Sequence, residues 1–452
     1  MIKKILIAVF FSLVLVPIKL FAVTCDNSSD NVEIQAAINS ATPGDTISVT
    51  GTCAIAASIV INKAITLSGG GSVVWTGTPG DAGATAAWSG GATFEVATSN
   101  YAIDINLSSD VFVRVTGIKF NMSTTEHGID VSGKSFGVKN VRIDNNQFYQ
   151  GGRAVWVGDY AYGVIDNNEF INCDIAIHWS GDYDTAWDRT IEMGTANSMY
   201  VEDNEFTVNT GCDHCDEQLY HQTGGRSVLR YNNFNGNYDG NTLIYDTHGN
   251  QDYYAEGNAF RGQPAHEIYN NNVAFDHTYR VFHMRSSSFL FYNNTITGSA
   301  DNIIDFNEEE AWSTAHFPSG LDSTWPAEDQ IMNTFIWNNT FNGSAADIDD
   351  IDLNGYTEFF QENRDFWMHA PQSSGGYEYY TDRQGAAGND DDGTLAFSSS
   401  GANAYYPYTA YTYPHPLRSE AATPTNTIQG MTIGNLQTIE ELISWNRSDG
   451  LR

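Results

Sequence analysis

The chain has 452 residues, and its 55 Asp and Glu residues outnumber its 21 Lys and Arg residues, so the formal net charge is -34 at pH 7. A charge of this size repels nucleic acid and anionic membrane surfaces and argues against both as partners. It also repels a free polyanionic sugar unless divalent cations bridge the two.

The N-terminal residues 1–22, MIKKILIAVFFSLVLVPIKLFA, join two lysines to an apolar run that ends in a small residue. This order is typical of a secretory signal peptide. A membrane anchor is the alternative, but Pro17 and Lys19 interrupt the apolar run, and no other segment is apolar over the length of a membrane span. We therefore expect a mature chain that is secreted, either to the periplasm or to the extracellular space.

Residues 30–41 place apolar side chains at helical spacing behind Asp30, a typical capping residue. We predict a helix here that covers the first coil of a repeat structure, followed by short alternating strands up to residue 80. Cys25 and Cys53 bracket the helix and the first strand. A disulfide between them is expected in an oxidising compartment.

Eight stretches repeat one pattern, an alternating apolar run that ends in Asn, one variable residue, and then Phe, Ile or Val. They are VRIDNNQF (141–148), GVIDNNEF (163–170), MYVEDNEF (199–206), VLRYNNF (228–234), YYAEGNAF (253–260), HEIYNNNV (266–273), FLFYNNTI (289–296) and FIWNNTF (335–341). A repeat of roughly 20 to 50 residues is typical of stacked units. We predict an all-β fold, a single-stranded right-handed parallel β-helix, over residues 23–365.

Each stretch alternates between an inward and an outward set of side chains. Asn tolerates the left-handed backbone conformation, so we expect each recurring Asn to form a sharp corner and to stack in a ladder with its equivalents. The steps are irregular, which indicates loops or unmarked coils between some of them. Asn258 and Asn271 are too close for a full coil, so one of the two belongs to a loop.

The order IQAAINSATPGDTISV, TGTC and IVINKAITLSGGG near the N-terminus resembles the start of secreted pectate-lyase-like β-helix proteins. DTHGN (246–250), RGQPAHEIYNNNV (261–273), EDQI (328–331) and YTAYTYPHPLR (408–418) resemble segments shared by a set of bacterial right-handed β-helix repeat proteins. This resemblance implies the fold and leaves the reaction open. After residue 365 the repeat stops and tyrosines accumulate, so we expect residues 366–452 to fold back on the solenoid.

The outward position before each recurring Asn changes from acidic to aromatic along the chain. The residues in order are Asp144, Asp166, Glu202, Arg230, Tyr269, Tyr292 and Trp337. Aromatic rings one coil apart match the spacing of successive sugar rings, so Arg230, Tyr269, Tyr292 and Trp337 are predicted to bind a glycan. The alternative is that the tyrosine-rich C-terminal segment packs on this stripe.

The scarce His and Arg residues concentrate between positions 214 and 285. Abstraction of the proton beside a uronate carboxyl needs a base and a positive charge. We assign these roles to Asp246, His248, Arg261, Glu267 and Arg285 and expect them to converge in one exposed groove. A carboxylate pair for glycoside hydrolysis, drawn from Asp246, Glu267 and Asp276, is one alternative, and ion pairs that hold loops are another.

Acidic clusters at 347–352 and 390–392 could hold Ca²⁺ through oxygen ligands, or they form solvated loops. Cys212 and Cys215 form a CxxC with too few ligands nearby for zinc, which favours a loop disulfide or free thiols, and Cys173 is expected to be buried. The polygalacturonase, Walker, HExxH and GxSxG motifs are missing.

Together these features predict a secreted protein that recognises an extracellular polysaccharide, with cleavage by β-elimination as the reaction hypothesis. The alternative function is a non-catalytic β-helical surface or matrix protein.

Overall fold

The computed structural model of the protein describes residues 20–371 apart from short gaps, together with 377–378, 404–405, 408–419, 427–428 and 431–432. The gaps fall at 27, 99, 134–136, 182–192, 213–214, 216, 223, 237–242, 249–264, 279, 286–287, 308–330, 332–333, 355–359 and 364.

Three long sheets form the body of the molecule. Sheet A contains β1 (Leu20–Thr24), β2 (Thr46–Thr50), β5 (Thr66–Ser68), β10 (Val113–Thr116), β13 (Val138–Asp144), β16 (Ala161–Asp166), β19 (Met199–Glu202), β22 (Arg226–Arg230), β25 (Ala265–Tyr269), β28 (Phe289–Tyr292), β31 (Thr334–Trp337) and β35 (Phe366–Trp367).

Sheet B contains β3 (Thr52–Ile55), β8 (Ala92–Val96), β11 (Ile118–Asn121), β14 (Gln147–Tyr149), β17 (Glu169–Ile171), β20 (Glu205–Val208), β23 (Asn233–Gly236), β26 (Asn272–His277), β29 (Thr295–Ser299), β32 (Thr340–Phe341) and β33 (Ser344–Ala345). Sheet C contains β4 (Ile59–Ile61), β9 (Tyr101–Ile105), β12 (His127–Ser132), β15 (Arg153–Gly158), β18 (Ile175–Ser180), β21 (Glu217–Gln222), β24 (Leu243–Thr247), β27 (Arg280–Arg285), β30 (Ile304–Asn307) and β34 (Ile351–Asp352).

Successive strands within each sheet pair in parallel, except that β32 and β33 are antiparallel. Between β2 and β32 the chain visits sheets A, B and C in turn, apart from the hairpin of β6 (Ser72–Thr76) and β7 (Thr85–Ser89), so each coil adds one strand to each sheet. This is the parallel β-helix that the repeat predicts. Equivalent residues stack: the rings of Phe120 and Phe148 lie 4.8 Å apart, and those of Phe148 and Phe170 lie 4.9 Å apart, which is the spacing of neighbouring strands.

The predicted alternation of side chains is confirmed. Val141, Ile143, Met199, Val201, Phe289 and Phe291 all belong to the buried interior. The residues between them point outward, where Tyr200, Leu290 and Tyr292 contribute to a second apolar cluster.

The recurring asparagines stack in a buried ladder, but they do not adopt the left-handed conformation predicted for them. That conformation belongs to the preceding residue, for example Asn145 with φ 55° and Asn270 with φ 56°. Each preceding residue turns the corner, and the recurring Asn then points into the interior. There the Asn168 side-chain oxygen accepts hydrogen bonds from the backbone N–H of Asn146 at 3.0 Å and from its side-chain amide at 3.1 Å.

The ladder also explains the irregular steps of the repeat. Asn168 bonds directly to Asn204, 36 residues later, and Asn294 bonds to Asn339, 45 residues later. Each long step therefore spans a single coil, and the alternative of unmarked coils is wrong. Asn232 bonds directly to Asn271, so Asn271 is a member of the ladder, and Asn258 lies outside the described residues.

A helix, α1 (Asp30–Ser40), forms where the spacing predicts it and buries Ile34 and Ile38. Asp30 does not cap it, since the capping position is Ser29, which makes no side-chain capping bond. The Asp30 carboxylate instead accepts hydrogen bonds from the backbone of Asp26 and Ala54. The helix contacts β1, β2, β3 and β4, the first strands of all three sheets. Its role as a cap stays a prediction.

The state of all five cysteines agrees with the expectations. Cys25 and Cys53 form a disulfide, and Cys212 forms a second one with Cys215, so this CxxC is not a zinc site. Cys173 is a buried free thiol. Within the described part of the chain, no helix has the length and apolar character needed to cross a membrane.

Six short strands, in three pairs, complete the β-structure of the described residues. The hairpin of β6 (Ser72–Thr76) and β7 (Thr85–Ser89), with its connecting loop, lies against the solenoid, where Trp88 donates its backbone N–H to Glu169 and Gly80 donates its own to Asn233. The other pairs are β36 (Tyr377–Glu378) with β37 (Ala404–Tyr405) and β38 (Thr427–Ile428) with β39 (Met431–Thr432). The alternating pattern up to residue 80 predicts solenoid strands throughout, but Ser72–Thr76 forms this hairpin instead.

Candidate functional site

The predicted site residues divide between two faces of the solenoid. Glu267 and the four predicted glycan-binding residues lie on or beside sheet A, whereas Asp246, His248 and Arg285 lie on or beside sheet C. Arg261 lies outside the described residues. The expectation of a single shared groove is therefore wrong.

On sheet A, the predicted glycan-binding residues form one column of stacked side chains. The rings of Tyr269 and Tyr292 lie 4.6 Å apart, and those of Tyr292 and Trp337 lie 4.2 Å apart. Residues 408–419, here named the C-terminal strap, lie across this column, and Arg230 donates to the carbonyl oxygens of Tyr411 and Thr412. The side chain of Arg230 is fully buried.

The strap therefore covers the stripe on which a glycan platform was predicted. Arg230 is 0% exposed and Tyr269 is 2% exposed, so neither offers a sugar ring a surface, and Tyr292 is also buried. Trp337 at the end of the column is partly exposed. Glycan binding at Trp337 stays a prediction, as does the packing of the rest of 366–452, most of which lies outside the described residues.

Glu267 is bound to the strap and is separated from the other predicted catalytic residues. Its carboxylate accepts hydrogen bonds from Tyr408 Oη and from the backbone N–H of Gly194, both at 2.6 Å. The prediction fails for Glu267 because β25 belongs to sheet A, while Asp246 is on β24 of sheet C. Asp276 is on β26 of sheet B, so these three carboxylates lie on three different sheets and form no hydrolytic pair.

Strand alternation brings the remaining catalytic candidates together on the outer face of sheet C. Tyr245 points inward from β24 and Asp246 points outward, and on β27 the inward Phe282 precedes the outward His283. Asp246 is in register with His283. His248 and Arg285 follow two residues later on the same face, so four polar side chains meet on neighbouring strands.

Asp246 is the centre of this group. Its Oδ2 lies 2.5 Å from Arg285 Nη2 and 2.9 Å from His248 Nε2, and its Oδ1 lies 3.0 Å from His283 Nδ1. The Asp246 side chain is fully buried, whereas those of His248 and Arg285 are 11% and 10% exposed. Burial opposes ionisation, but Arg285 and His248 outweigh it and hold the pKa of Asp246 well below its usual range.

His283 connects this carboxylate to a second ion pair. Burial lowers the pKa of His283, so the imidazole is neutral at physiological pH; its Nδ1 lies 3.0 Å from Asp246 Oδ1, and its Nε2 lies 3.0 Å from Arg280 Nη1. Arg280 Nε in turn lies 2.5 Å from Asp305 Oδ2. The chain of contacts fixes the orientation of the imidazole and of Asp246.

Glu217 on β21 is a member of the site that sequence reasoning missed. Its carboxylate, Asp246 and His248 each place one ligand atom within 4.8 Å of the others. Burial and the neighbouring charge of Asp246 raise the pKa of Glu217 to about 8, so the group carries a proton at neutral pH. No repeat marks sheet C in the sequence, and the register that pairs β21 with β24 could not be read from it.

These three side chains form a set of potential metal ligands, but the geometry favours another use. Arg285 Nη2 lies 2.5 Å from Asp246 Oδ2 and 2.7 Å from His248 Nε2, so a guanidinium already supplies the positive charge between two of them. At the predicted Ca²⁺ cluster, the Asp347 carboxylate accepts a hydrogen bond from the backbone N–H of Asp349, and the Asp350 carboxylate accepts one from the backbone N–H of Asp347. Residues 390–392 lie outside the described chain.

Comparison with known proteins finds likeness in solved structures. No protein-family model and no curated protein matches the sequence. An alginate lyase from Paenibacillus sp. str. FPU-7 aligns with 14% identity and a TM-score of 0.34 over 74% of this chain and 99% of that one. The PL6 family alginate lyase AlyGC aligns with the same identity and TM-score over 77% of this chain and 51% of that one.

Similarity at this level carries no argument about the reaction. The resemblance to pectate-lyase-like proteins holds at the level of the parallel β-helix fold.

Proposed function

We propose that the protein binds a carboxylated extracellular polysaccharide on sheet C and cleaves it by β-elimination. The observation that carries this proposal is the arrangement around Asp246. One buried carboxylate holds an imidazole, His248, beside a guanidinium, Arg285, and the carboxyl of Glu217 is close to both Asp246 and His248.

The three side chains around Asp246, which are Arg285, His248 and Glu217, match the requirements of the reaction. Arg285 pairs with the carboxylate of the sugar and stabilises the negative charge that develops there. As Arg285 turns to the sugar carboxylate it releases the Nε2 lone pair of His248, and that nitrogen removes the proton from the carbon beside the carboxyl. The released electron pair forms the new C=C bond as the C–O bond to the leaving sugar breaks. Glu217, which is protonated at neutral pH, donates its proton to the leaving oxygen.

Asp246 acts as a positioning residue rather than as a nucleophile. Its two oxygens are contacted by Arg285, His248 and His283, and the residue is 0% exposed. A retaining glycosidase needs a carboxylate that can reach the anomeric carbon. Enclosure of Asp246 therefore favours elimination over hydrolysis.

Secretion is part of the proposal. Two disulfides are typical of an oxidising compartment, and the N-terminal residues 1–22 have the composition of a signal peptide. A polysaccharide outside the cytoplasm is the substrate class that agrees with both observations.

The test is to incubate the mature protein with polygalacturonate, alginate, hyaluronan and a neutral glucan and to follow the absorbance of unsaturated uronate products. We expect absorbance to rise with at least one polyuronate. His248→Ala and Glu217→Gln should lower the rate about a hundredfold or more, the usual contribution of a positioned acid or base. Asp276→Asn on sheet B is the matched control and should retain full activity.

Absence of product from every polyuronate would overturn the proposal and favour the alternative of a non-catalytic surface or matrix protein. Equal losses in Asp276→Asn and Glu217→Gln would also contradict it, because Asp276 lies on another sheet.

A further inference from the structure

A second group of aromatic and basic side chains lies on sheet C, on strands that precede those of Glu217, Asp246 and Arg285 in the sheet. Parallel register aligns Tyr101 on β9 with His127 on β12 and Arg153 on β15. Trp156 follows on β15, and all four side chains are partly exposed. Three neighbouring coils thus present polar and aromatic groups on the face that also carries the candidate active site.

The group is organised around Arg153. Its guanidinium carbon lies 4.9 Å from the centre of the Trp156 ring, and the Tyr101 ring lies 6.3 Å from Trp156 and 5.0 Å from His127. Gly158 leaves room for the indole, because a Cβ there would lie 3.0 Å from Trp156 Nε1. The guanidinium and the indole therefore have a defined mutual position.

Within the described residues, Arg153 makes no ion pair with a carboxylate, whereas most of the other arginines there do. The arginines that do bind carboxylates are Arg114, Arg142, Arg230, Arg280, Arg285 and Arg418. Burial, with a further contribution from Arg153, lowers the pKa of His127 and of His178, so both imidazoles are neutral at physiological pH. In a chain with a net charge of -34, the Arg153 guanidinium is thus a local positive charge that can pair with an acidic ligand.

A column of rings connects this group with the candidate active site. Trp156 lies 4.1 Å from His178, His178 lies 4.6 Å from Tyr220, and Tyr220 lies 4.6 Å from His248, measured between ring centres. β15 is two strands from β21, which carries Glu217, and three from β24, which carries Asp246. At the usual strand spacing these separations are about 10 Å and about 14 Å.

On the side away from the candidate active site, the surface beside Trp156 is acidic. Asp104 and Asp130 occupy the positions on β9 and β12 that align with Trp156, and both are partly exposed. Two carboxylates repel a polymer that carries its own carboxylates. The surface suited to such a polymer therefore ends at β15.

We propose that Arg153 and Trp156 form a distal subsite that holds a carboxylated sugar two to three residues from the bond that is cleaved. The guanidinium pairs with the sugar carboxylate, and the indole packs against the sugar ring. The inference rests on the proposed function for the position of that bond. It implies that the protein recognises the interior of acidic chains and needs about four or five sugar residues for full affinity, one for each strand from β15 to β24 or β27.

The test measures binding and cleavage separately on oligogalacturonates and oligoalginates of two to six residues. Calorimetry uses the full chain carrying Glu217→Gln, so that binding is recorded without turnover. We expect affinity to rise up to about the pentamer and then level off. Arg153→Gln should weaken pentamer binding about tenfold and leave dimer binding unchanged, because a lost charge-assisted pair costs about that much.

Lys119→Gln is the matched control, since Lys119 lies 5.4 Å over the ring of Tyr149 in a similar cation–aromatic pair on sheet B. It should leave binding of every oligomer unchanged. Arg153→Lys should recover part of the affinity and its salt dependence, and Trp156→Ala should weaken the pentamer without that salt dependence. Equal melting temperatures of the variants would show that they fold.

The outcomes separate this inference from the proposed reaction. Pentamer binding that depends on Arg153, without cleavage by the unmodified protein, supports the subsite and overturns the lyase. Cleavage whose kcat/KM depends neither on chain length nor on Arg153 supports the lyase and overturns the subsite. Equal losses in Arg153→Gln and Lys119→Gln, or no binding at any length, also overturn the subsite.

Discussion

Glu217 and Asp246 lie on neighbouring strands of sheet C, and their pKa values move in opposite directions. Burial and Asp246 raise the pKa of Glu217 to about 8, whereas Arg285 and His248, against the effect of burial, hold that of Asp246 well below its usual range. One carboxyl of the pair is thus protonated and the other ionised at neutral pH. Two carboxyls separated in this way are suited to different roles in acid–base chemistry.

The first prediction concerns the pH dependence of cleavage. A general acid works only in its protonated form, and the pKa of Glu217 is raised to about 8, so kcat/KM should fall as pH rises through about 8. The measurement is a pH profile of kcat/KM on the polyuronate that is cleaved. Glu217→Gln should remove this alkaline limb from whatever activity remains. A limb that persists in the variant would assign it to another group.

The second prediction concerns the stability that Asp246 provides. Asp246→Asn leaves Arg285 and His283 without their buried anionic partner, so the free energy of unfolding should fall by about 3 kcal/mol. Chemical denaturation at neutral pH measures this change. Asp276→Asn, an exposed position, should change stability by less than about 0.5 kcal/mol. Similar values for both variants would show that the Asp246 contacts contribute little.

The third prediction compares the stability that Asn270 and Asn271 provide at one corner of the solenoid. Asn271 donates to the carbonyl oxygen of Leu229 and to Asn294, and accepts from Asn232, so Asn271→Ala should destabilise the fold by about 3 kcal/mol. Asn270 has φ 56°, a conformation that glycine adopts readily, so Asn270→Gly should be nearly neutral. Thermal denaturation of both variants measures the two changes in stability. A larger loss at position 270 would contradict the division of roles.

The fourth prediction concerns attachment of the C-terminal strap. Arg418 contacts Asp166, Glu202 and Asp203, so Arg418→Ala leaves three buried carboxylates without this cation. We expect the strap to detach in part and limited proteolysis to cut within 408–419 earlier than in the unmodified protein. Arg418→Lys should show intermediate protection. An unchanged cleavage pattern in the alanine variant would mean that the other strap contacts suffice.

The fifth prediction concerns chelation. Arg285 already places a positive charge between Asp246 and His248, so a chelator of divalent cations should leave the chemical step of cleavage on short oligomers unchanged. Long polymers are a separate case, because cations can reduce their repulsion from an acidic protein. Loss of oligomer cleavage in chelator, restored by Ca²⁺, would assign the Glu217, Asp246 and His248 set to a metal.

The structure agrees with the sequence predictions where a motif recurs and departs from them where none does. The Asn motif follows sheet A, so the register of Arg230, Tyr269 and Tyr292 could be counted from it, and the column they form was correct. Their exposure could not be predicted, because burial of Arg230 depends on residues about 180 positions away in the strap. Sheet C has no such motif, which is why Glu217 was missed and Glu267 was assigned to the wrong face.

The Asn ladder also sets how this molecule tolerates added sequence. Neighbouring asparagines make the same bond, about 3 Å long, whether 22 or 45 residues separate them. The height of a coil is therefore independent of the amount of chain that it contains. Insertions between two ladder positions widen the molecule and leave its axial length and the register of sheet C unchanged, so new surface can be added around the Asp246 cluster without moving it.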